Sequence, residues 1–299
     1  MTLKPRTISE LQKLLPRSRG VDAVSLDAVA DLIEHVPGDM TATVQAGMRL
    51  ADFQTRLAKA GQWLPVDPPN PETVTLGGLL AANLNGPRRF GCGTIRDWLI
   101  GLAVVLPDGR LIRNGGRVVK NVAGFDLCRL FVGARDTLGI VVEASFKLLP
   151  LPEAETRLAK PCESLGQAGE LLDKIWASGL QPTVLDLHRI AGGPHTLVVG
   201  FAGPSADVEA QSGTANALGF AEGASLDYDA SFRRVSPHFT AVAPGNLVST
   251  LRTLNGESYV ARAGNGVIYH ASAESPQLPS PDLQKRVKEM FDPEGVLPG

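Results

Sequence analysis

The stretch of this sequence best suited to binding a ligand runs from Thr75 to Gly91 and reads TLGGLLAANLNGPRRFG. A glycine pair, Gly77 and Gly78, precedes a short apolar run. Glycine lacks a Cβ atom, so it lets the backbone come close to a ligand. A helix that begins at such a pair directs N–H groups and the positive end of its dipole toward an anion. The pattern predicts a phosphate or pyrophosphate site, although a tight turn before a buried helix has the same residue types.

A second stretch, Val119 to Pro150, reads VKNVAGFDLCRLFVGARDTLGIVVEASFKLLP. With the first stretch and the intervening GTIRDWLIGLAVVLPDG, it resembles the FAD-binding domain of the vanillyl-alcohol oxidase family, also called the PCMH type. Within that family the motifs are most similar to those of the FAD-binding E subunit of bacterial glycolate oxidase. The resemblance covers about Gly38 to Pro152. Its elements are Pro68-Pro69, Thr75 to Gly78, Gly86-Pro87, Arg89, Gly91, Arg96-Asp97, Lys120 to Leu127, Arg129-Leu130, Val132-Gly133 and Leu138-Gly139.

The resemblance implies that FAD is the cofactor, and it transfers a set of cofactor-binding positions to this chain. These are Thr75, Leu76, Gly77, Gly78, Asn83, Gly86, Arg96, Gly139, Ile140 and Val141. In the family, the backbone of the Leu138–Val141 segment lies along the nucleotide end of FAD, and the Lys120–Asp126 loop lies beside the flavin cleft. Asp126 could equally have a structural role, as the cap of a helix over Leu127–Phe131.

The predicted fold is α+β, with a PCMH-type domain over residues 1–152 and a small α+β cap domain over residues 153–299. The family normally has a glycine-rich loop of the GGGT kind near its start, and here the only glycine among residues 1–36 is Gly20. The first domain is therefore expected to be truncated at its N-terminus. The Pro150-Leu151-Pro152 break marks the predicted boundary. Apolar periodicity predicts strands over Met40–Ala46, Ile100–Leu106 and Thr137–Leu149, a helix over Leu50–Ala60, and two helical turns within Asp27–His35.

Asp136 is a departure from the family, which usually has a glycine at this position. A carboxylate facing a phosphate at ~4 Å would cost about 4 kcal/mol at an effective dielectric constant near 20. If FAD binds, we therefore expect Asp136 to point away from the phosphates or to pair with Arg135 or Arg96.

The catalytic residues cannot be assigned from the sequence. Oxidation of a 2-hydroxy acid needs a base for the hydroxyl proton and a cation for the carboxylate. None of the five histidines has a partner spacing that marks it as this base. His188 and His238 are the better candidates, with a structural histidine as the alternative for each. Cys92 lies near the position where some relatives attach flavin covalently, but its glycine neighbours favour an inert thiol. No cluster predicts a metal.

Two functions follow from the resemblance. In the first, the chain is the FAD-binding subunit of a glycolate-oxidase-like 2-hydroxy-acid dehydrogenase complex, in which hydride passes from the α-carbon to flavin. Its implied partners are a second flavin subunit and an iron–sulfur subunit, because three cysteines without metal spacing cannot hold a cluster here. In the second, the chain is a non-catalytic structural paralogue that stabilises a flavoprotein and binds FAD weakly or not at all.

Composition excludes other classes of protein. The chain has 299 residues, is 43% hydrophobic and has a formal net charge of −2, so it lacks the basic surface of a nucleic-acid-binding protein. No run of apolar residues is long enough to predict a transmembrane helix, and the N-terminus lacks a secretory apolar region. The odd number of cysteines fits a reducing compartment. The sequence predicts a cytoplasmic protein.

Overall fold

The chain folds around two large antiparallel sheets. A computed structural model describes residues 1–116, 127–190, 192–233, 238–254, 256–271 and 281–298. In its first half the strands are β1 (Thr2–Leu3), β2 (Ala23–Val24), β3 (Leu32–Val36), β4 (Thr41–Gln45), β5 (Gln62–Trp63), β6 (Leu99–Val105), β7 (Leu111–Gly115), β8 (Ile140–Lys147) and β9 (Leu149–Pro150). The helices of this half are α1 (Ile8–Leu14), α2 (Leu50–Ala58), α3 (Leu76–Ala81), α4 (Arg89–Cys92), α5 (Ile95–Trp98) and α6 (Cys128–Phe131).

The first sheet has five antiparallel strands in the order β3-β4-β8-β6-β7. Its strands alternate, so Ala42 and Val44 of β4 enter the core while Thr43 on the other face hydrogen-bonds Ser145 at 2.8 Å. Helix α2 covers the apolar face because Leu50, Phe53 and Leu57 recur at helical spacing and are all buried. The opposite face of β6 and β8 packs against α1 and a parallel pair, β1 and β2.

One element of the first half differs from its prediction. The sequence predicted two helical turns within Asp27–His35, and the structure instead places β3 at Leu32–Val36. This strand forms the edge of the sheet and pairs with β4 in antiparallel register. The prediction was wrong because pairing with a neighbouring strand, which local spacing does not report, decided the conformation of this segment.

The second half contributes a seven-stranded antiparallel sheet in the order β13-β10-β12-β11-β15-β16-β14. Its strands are β10 (Ala154–Cys162), β11 (Val184–Arg189), β12 (His195–Gly203), β13 (Ala221–Glu222), β14 (His238–Ala241), β15 (Tyr259–Arg262) and β16 (Val267–His270). Its helices are α7 (Leu165–Ala177), α8 (Ser205–Ala217), α9 (Asp227–Arg233), α10 (Leu247–Thr253) and α11 (Pro281–Phe291). Helices α7, α8 and α10 supply buried residues to the core on one face of this sheet. The α+β fold class is confirmed.

The C-terminal segment returns to the first half of the chain. Val287 and Phe291 of α11 pack against the core of the first sheet, and Val296 and Leu297 are buried beside α1. The Lys288 ammonium donates to the Thr137 carbonyl at 2.9 Å. We therefore propose a domain boundary at residue 152 with the last residues, from 281 onward, packed on the first domain. Among the described residues, no helix is long and apolar enough to cross a membrane.

Candidate functional site

Helix α3 begins at the glycine pair and is capped by Thr75, whose hydroxyl accepts a hydrogen bond from the Gly78 N–H at 3.1 Å. The other N–H groups of its first turn also have protein partners. Leu76 donates to Met48 O at 2.9 Å, Gly77 to Ala46 O at 2.7 Å and Leu79 to Thr75 O at 2.8 Å. The expectation that this helix start offers free N–H groups to an anion is therefore wrong, because the backbone after β4 accepts two of them and Thr75 accepts the other two.

Three predicted cofactor-binding glycines are explained by packing within the protein. A Cβ atom would lie 3.1 Å from Ala46 Cβ at Gly77, 1.7 Å from Asp67 O at Gly86 and 2.6 Å from Val104 Cγ1 at Gly139. Contacts this short leave no room for any side chain without movement of the neighbouring backbone or side chain. These glycines bring two segments of the chain together, so their presence alone does not indicate a ligand.

Gly78 is different because it is an exposed glycine within a helix. Its φ angle is not positive, and among the described residues outside the backbone of α3 the atom close to an added Cβ would be the Thr75 hydroxyl oxygen, at 3.3 Å. Glycine inside a helix costs about 1 kcal/mol relative to alanine. Neither the backbone conformation nor close packing against another described segment requires a glycine here, so the absent side chain leaves space beside α3.

Gly78 belongs to an exposed strip that we call the open face, made of Gly78, Ala82, Asn83, Gly133 and Arg135. Ala82 lies one helical turn after Gly78. The turn at residues 133–135 is attached to the end of α3, because Gly133 donates to Leu80 O at 2.9 Å and Arg135 to Ala81 O at 2.8 Å. Small residues followed by an exposed guanidinium fit a flat ring system that carries an anionic group.

The remaining predicted positions lie around this strip or beneath it. Leu76, Ile140 and Val141 have buried side chains, so only their backbone could contact a cofactor. Arg96 is exposed and donates to Arg129 O at 2.6 Å. Of the predicted set, Gly78 and Asn83 lie on the open face and Thr75 caps its helix. The Lys120–Asp126 loop lies outside the described residues.

Asp136 is half-buried, and burial raises the pKa of its carboxyl to about 6. No described side chain forms an ion pair with Asp136 in this structure, so the expected pairing with Arg135 or Arg96 is absent. The residue lines a small cavity of about 120 Å³ that also contacts residues 21–24, Leu297 and Pro298. This volume is below the range of about 300–1,000 Å³ that is usual for ligand pockets.

The second domain contains a buried ion cluster on the sheet face that α9 covers. Arg262 is fully buried, and its guanidinium donates to both Asp186 and Asp229. The Tyr228 hydroxyl donates to Asp186 at 2.7 Å. The two carboxylates raise the pKa of Arg262, so it stays charged although burial alone would lower its pKa. Because its charge is neutralised internally, Arg262 is not available to bind the carboxylate of a substrate.

His188, one of the two candidate bases, lies next to this cluster. Its ring stacks on Tyr228 with the centroids 4.1 Å apart, and burial lowers its pKa to about 4. Its Nδ1 atom is buried and has no hydrogen-bond partner among the described residues. His188 is therefore neutral at pH 7 and a weak base. The other candidate base, His238, lies in strand β14.

Cys92 was the predicted inert thiol, and burial raises the pKa of this thiol.

The two halves of the chain meet along the segment that follows α3. The Arg88 guanidinium donates to both oxygens of Glu155 at 2.6 Å. The Gly91 N–H donates to Thr183 O at 3.1 Å, and Phe90 packs against the backbone of Gly264. These contacts connect the predicted flavin segment directly to the cap sheet.

Asp67 lies in this boundary and lines a largely apolar cavity of about 470 Å³ between α2, Trp63 and Leu151. Its carboxylate accepts the Arg88 N–H at 3.1 Å. Burial is the main cause that raises its pKa to about 7, against the opposing effect of the Arg88 charge. Sequence reasoning missed Asp67, as it missed Arg262. For Asp186 and Arg262 the available signal was a charged residue at a core-facing position of an apolar strand, in VLDLHR and YVAR respectively.

The raised pKa of Asp67 predicts a pH-dependent stability. Because the folded state binds this proton more tightly, the stabilisation is complete below the ordinary pKa of 3.8 and is lost as pH rises through about 7. We expect the free energy of unfolding of the wild type, relative to Asp67→Asn, to fall by about 2–4 kcal/mol from pH 4 to pH 8, at about 1.4 kcal/mol per pKa unit. Urea unfolding across this range measures the difference. The exposed Asp173→Asn is the control, and parallel profiles for wild type and Asp67→Asn would contradict the assignment.

The first half of the chain is similar in sequence to known FAD-linked proteins. Residues 5–115 match the family of FAD binding domains. Glycolate oxidase subunit GlcD of Bacillus subtilis is 41% identical over 155 residues, which make up 52% of this chain and 33% of that protein. Glycolate oxidase subunit GlcE of Escherichia coli is 40% identical over 130 residues, 43% of this chain and 37% of that protein. A D-lactate dehydrogenase of Archaeoglobus fulgidus is 40% identical over 154 residues, which make up 52% of this chain and 34% of that protein.

This chain therefore spans about a third of the length of these curated relatives. A solved structure of alkyldihydroxyacetonephosphate synthase superposes with a TM-score of 0.74 at 18% identity, covering 99% of this chain and 75% of that one. At this identity the likeness concerns the fold alone. It extends over both halves of the molecule, including the seven-stranded sheet.

Proposed function

Because this chain carries a PCMH-type FAD-binding domain, for which FAD is the indicated cofactor, we propose that it is an FAD-binding subunit of a 2-hydroxy-acid dehydrogenase complex. The observation that carries the proposal is Gly78, a helical glycine that neither close packing nor backbone conformation requires. When bound, FAD would supply the acceptor for the hydride that leaves the α-carbon of the substrate.

The residues of the open face fit this cofactor. Gly78 and Ala82 leave a flat surface on α3 against which a ring system can pack. Arg135 places a positive charge at the end of this surface, where it would attract a phosphate. Thr75 holds the helix start, and Asn83 turns the chain beside it with a φ of 47°. Asp136 follows Arg135 directly and, when ionised, weakens this attraction.

Two observations favour a subunit over a self-sufficient enzyme. The relatives from Bacillus subtilis and Escherichia coli are named as glycolate oxidase subunits. In addition, the buried guanidinium of Arg262 is already bound by two internal carboxylates, so this described residue of the cap does not supply the cation for a substrate carboxylate. The second flavin subunit and the iron–sulfur subunit that the resemblance implies are the proposed partners.

A second candidate function is the non-catalytic paralogue that stabilises a flavoprotein partner. The saturated N–H groups at the start of α3 and the unpaired Asp136 favour it. The two candidates differ in whether FAD binds with useful affinity.

Titration of the purified chain with FAD, followed by the quenching of flavin fluorescence, tests the proposal. We expect saturable binding with one FAD per chain and a protein-bound flavin absorption spectrum. Riboflavin, which lacks the phosphates, should bind more weakly because Arg135 then has no anionic partner. Absence of saturable binding would establish the non-catalytic alternative.

The isolated chain should show little or no oxidation of glycolate or lactate with an artificial electron acceptor, even when FAD is bound. The reason is that Arg262, the fully buried arginine among the described residues of the cap, is neutralised by two internal carboxylates. Addition of the partner subunits should restore turnover. Rapid turnover by the chain alone would refute the subunit assignment.

A further inference from the structure

We propose that Arg233 of the cap is a positioning residue that holds the Asn83–Gly86 turn beside the open face, so that FAD affinity depends on a side chain that does not touch FAD. This inference rests on the proposed function, because it concerns the same cofactor surface. It assigns a role to the ion cluster of the cap that the chemistry of the reaction does not use.

Arg233 is the last residue of α9 and reaches across the domain boundary. Its guanidinium donates a hydrogen bond to the carbonyl of Asn85. It also lies over the ring of Tyr269, 4.5 Å from the centroid. Only 14% of its side chain is exposed, so water competes little for this hydrogen bond. A charged donor on a carbonyl in such surroundings is stronger than a bond between neutral groups.

The carbonyl to which Arg233 donates is that of Asn85, and the side chain of Asn85 organises the turn. Asn85 is buried, its side-chain amide donates to Asn83 O at 2.7 Å, and its side-chain oxygen accepts the Ile95 N–H at 3.1 Å. Asn83 has a left-handed φ of 47°, a conformation that needs support from its surroundings. Displacement of Asn85 would therefore release Asn83, which is part of the open face.

The same guanidinium of Arg233 also lies beside the buried ion cluster. Asp229 lies one helical turn before it in α9, with 3.9 Å between its carboxylate and the guanidinium. Asp229 is itself bound by Arg262, which Asp186 holds in the cap sheet. A continuous set of charged contacts thus connects β11 and β15 of the cap to the turn that follows α3.

Hydrogen exchange of the FAD-free protein tests the positioning directly. In Arg233→Ala, we expect the backbone amides of residues 83–86 to exchange at least about tenfold faster, while those of β11 stay as in the wild type. Arg233→Lys keeps a charged donor and should remain within about threefold. Arg252→Ala, an exposed arginine in the last turn of α10, is the matched control and should change neither region.

FAD affinity of the same variants provides the second measurement. Arg233→Ala should weaken binding at least about tenfold, which corresponds to about 1.4 kcal/mol, and Arg233→Lys should recover most of it. If Arg233→Ala does not fold, Arg233→Gln replaces it with the same expected direction.

Two outcomes overturn the inference: unchanged exchange at residues 83–86, or faster exchange there with unchanged FAD affinity. A wild type that binds no FAD refutes the proposed function instead, and the exchange rates then still decide whether Arg233 holds the turn.

Discussion

Replacing Arg262 by methionine is expected to lower the free energy of unfolding by about 3–5 kcal/mol. The substitution keeps much of the side-chain volume but leaves Asp186 and Asp229 buried without their cation. An isolated carboxylate in the interior costs far more than the same group in water. Urea unfolding at pH 7, followed by circular dichroism, measures the loss.

Three comparisons show whether the unpaired carboxylates cause this loss. Arg110→Met removes the exposed pair with Asp108 and should change stability by less than about 1 kcal/mol. Adding Asp186→Asn and Asp229→Asn to Arg262→Met should recover part of the loss, since neither carboxylate is then left buried without its cation. The loss in Arg262→Met should also shrink at acid pH, where the carboxylates bind protons. A loss that neither the added substitutions nor acid reduces would indicate a cavity effect instead.

Replacing Gly78 by valine is expected to weaken FAD binding by about 100-fold or more, which corresponds to about 2.7 kcal/mol. The added side chain would occupy the open face of α3, where the ring system of the cofactor is proposed to pack. The fold should remain intact, because valine has a better helix propensity than glycine and the nearest atom to the new Cβ is the Thr75 hydroxyl. Flavin fluorescence titration measures the affinity, and thermal unfolding confirms the fold.

Gly213→Val is a matched control, since Gly213 is also an exposed helical glycine and, among the described residues outside its own helix backbone, no atom lies within 4 Å of the position of its new Cβ. It lies in α8 of the cap, away from the open face, and its substitution should leave FAD affinity unchanged. Gly78→Ala adds a single methyl group and should give an intermediate loss. Full FAD occupancy in Gly78→Val would refute the placement of the cofactor on α3.

The sequence determined the fold class and several of the elements of this protein, though not strand β3. The alternation in TATVQ gave strand β4, and the spacing of Leu50, Phe53 and Leu57 gave helix α2, because apolar periodicity reports which face of an element is buried. The order of glycine-containing motifs predicted an FAD-binding domain, and residues 5–115 match the family of FAD binding domains. The cofactor-binding residues remain predictions.

The tertiary structure alone decided what the individual residues do. Gly77, Gly86 and Gly139 look equivalent to Gly78 in the sequence, but Ala46, Asp67 and Val104 approach the first three and leave Gly78 free. Similarly, the ion cluster joins residues of β11, α9 and β15 that are far apart in the chain. Local spacing encodes periodicity and capping, whereas close contacts and the burial of charge depend on which distant segments meet. For this reason the sequence predicted a flavin domain, and only the fold separated a packing glycine from one that leaves room for a ligand.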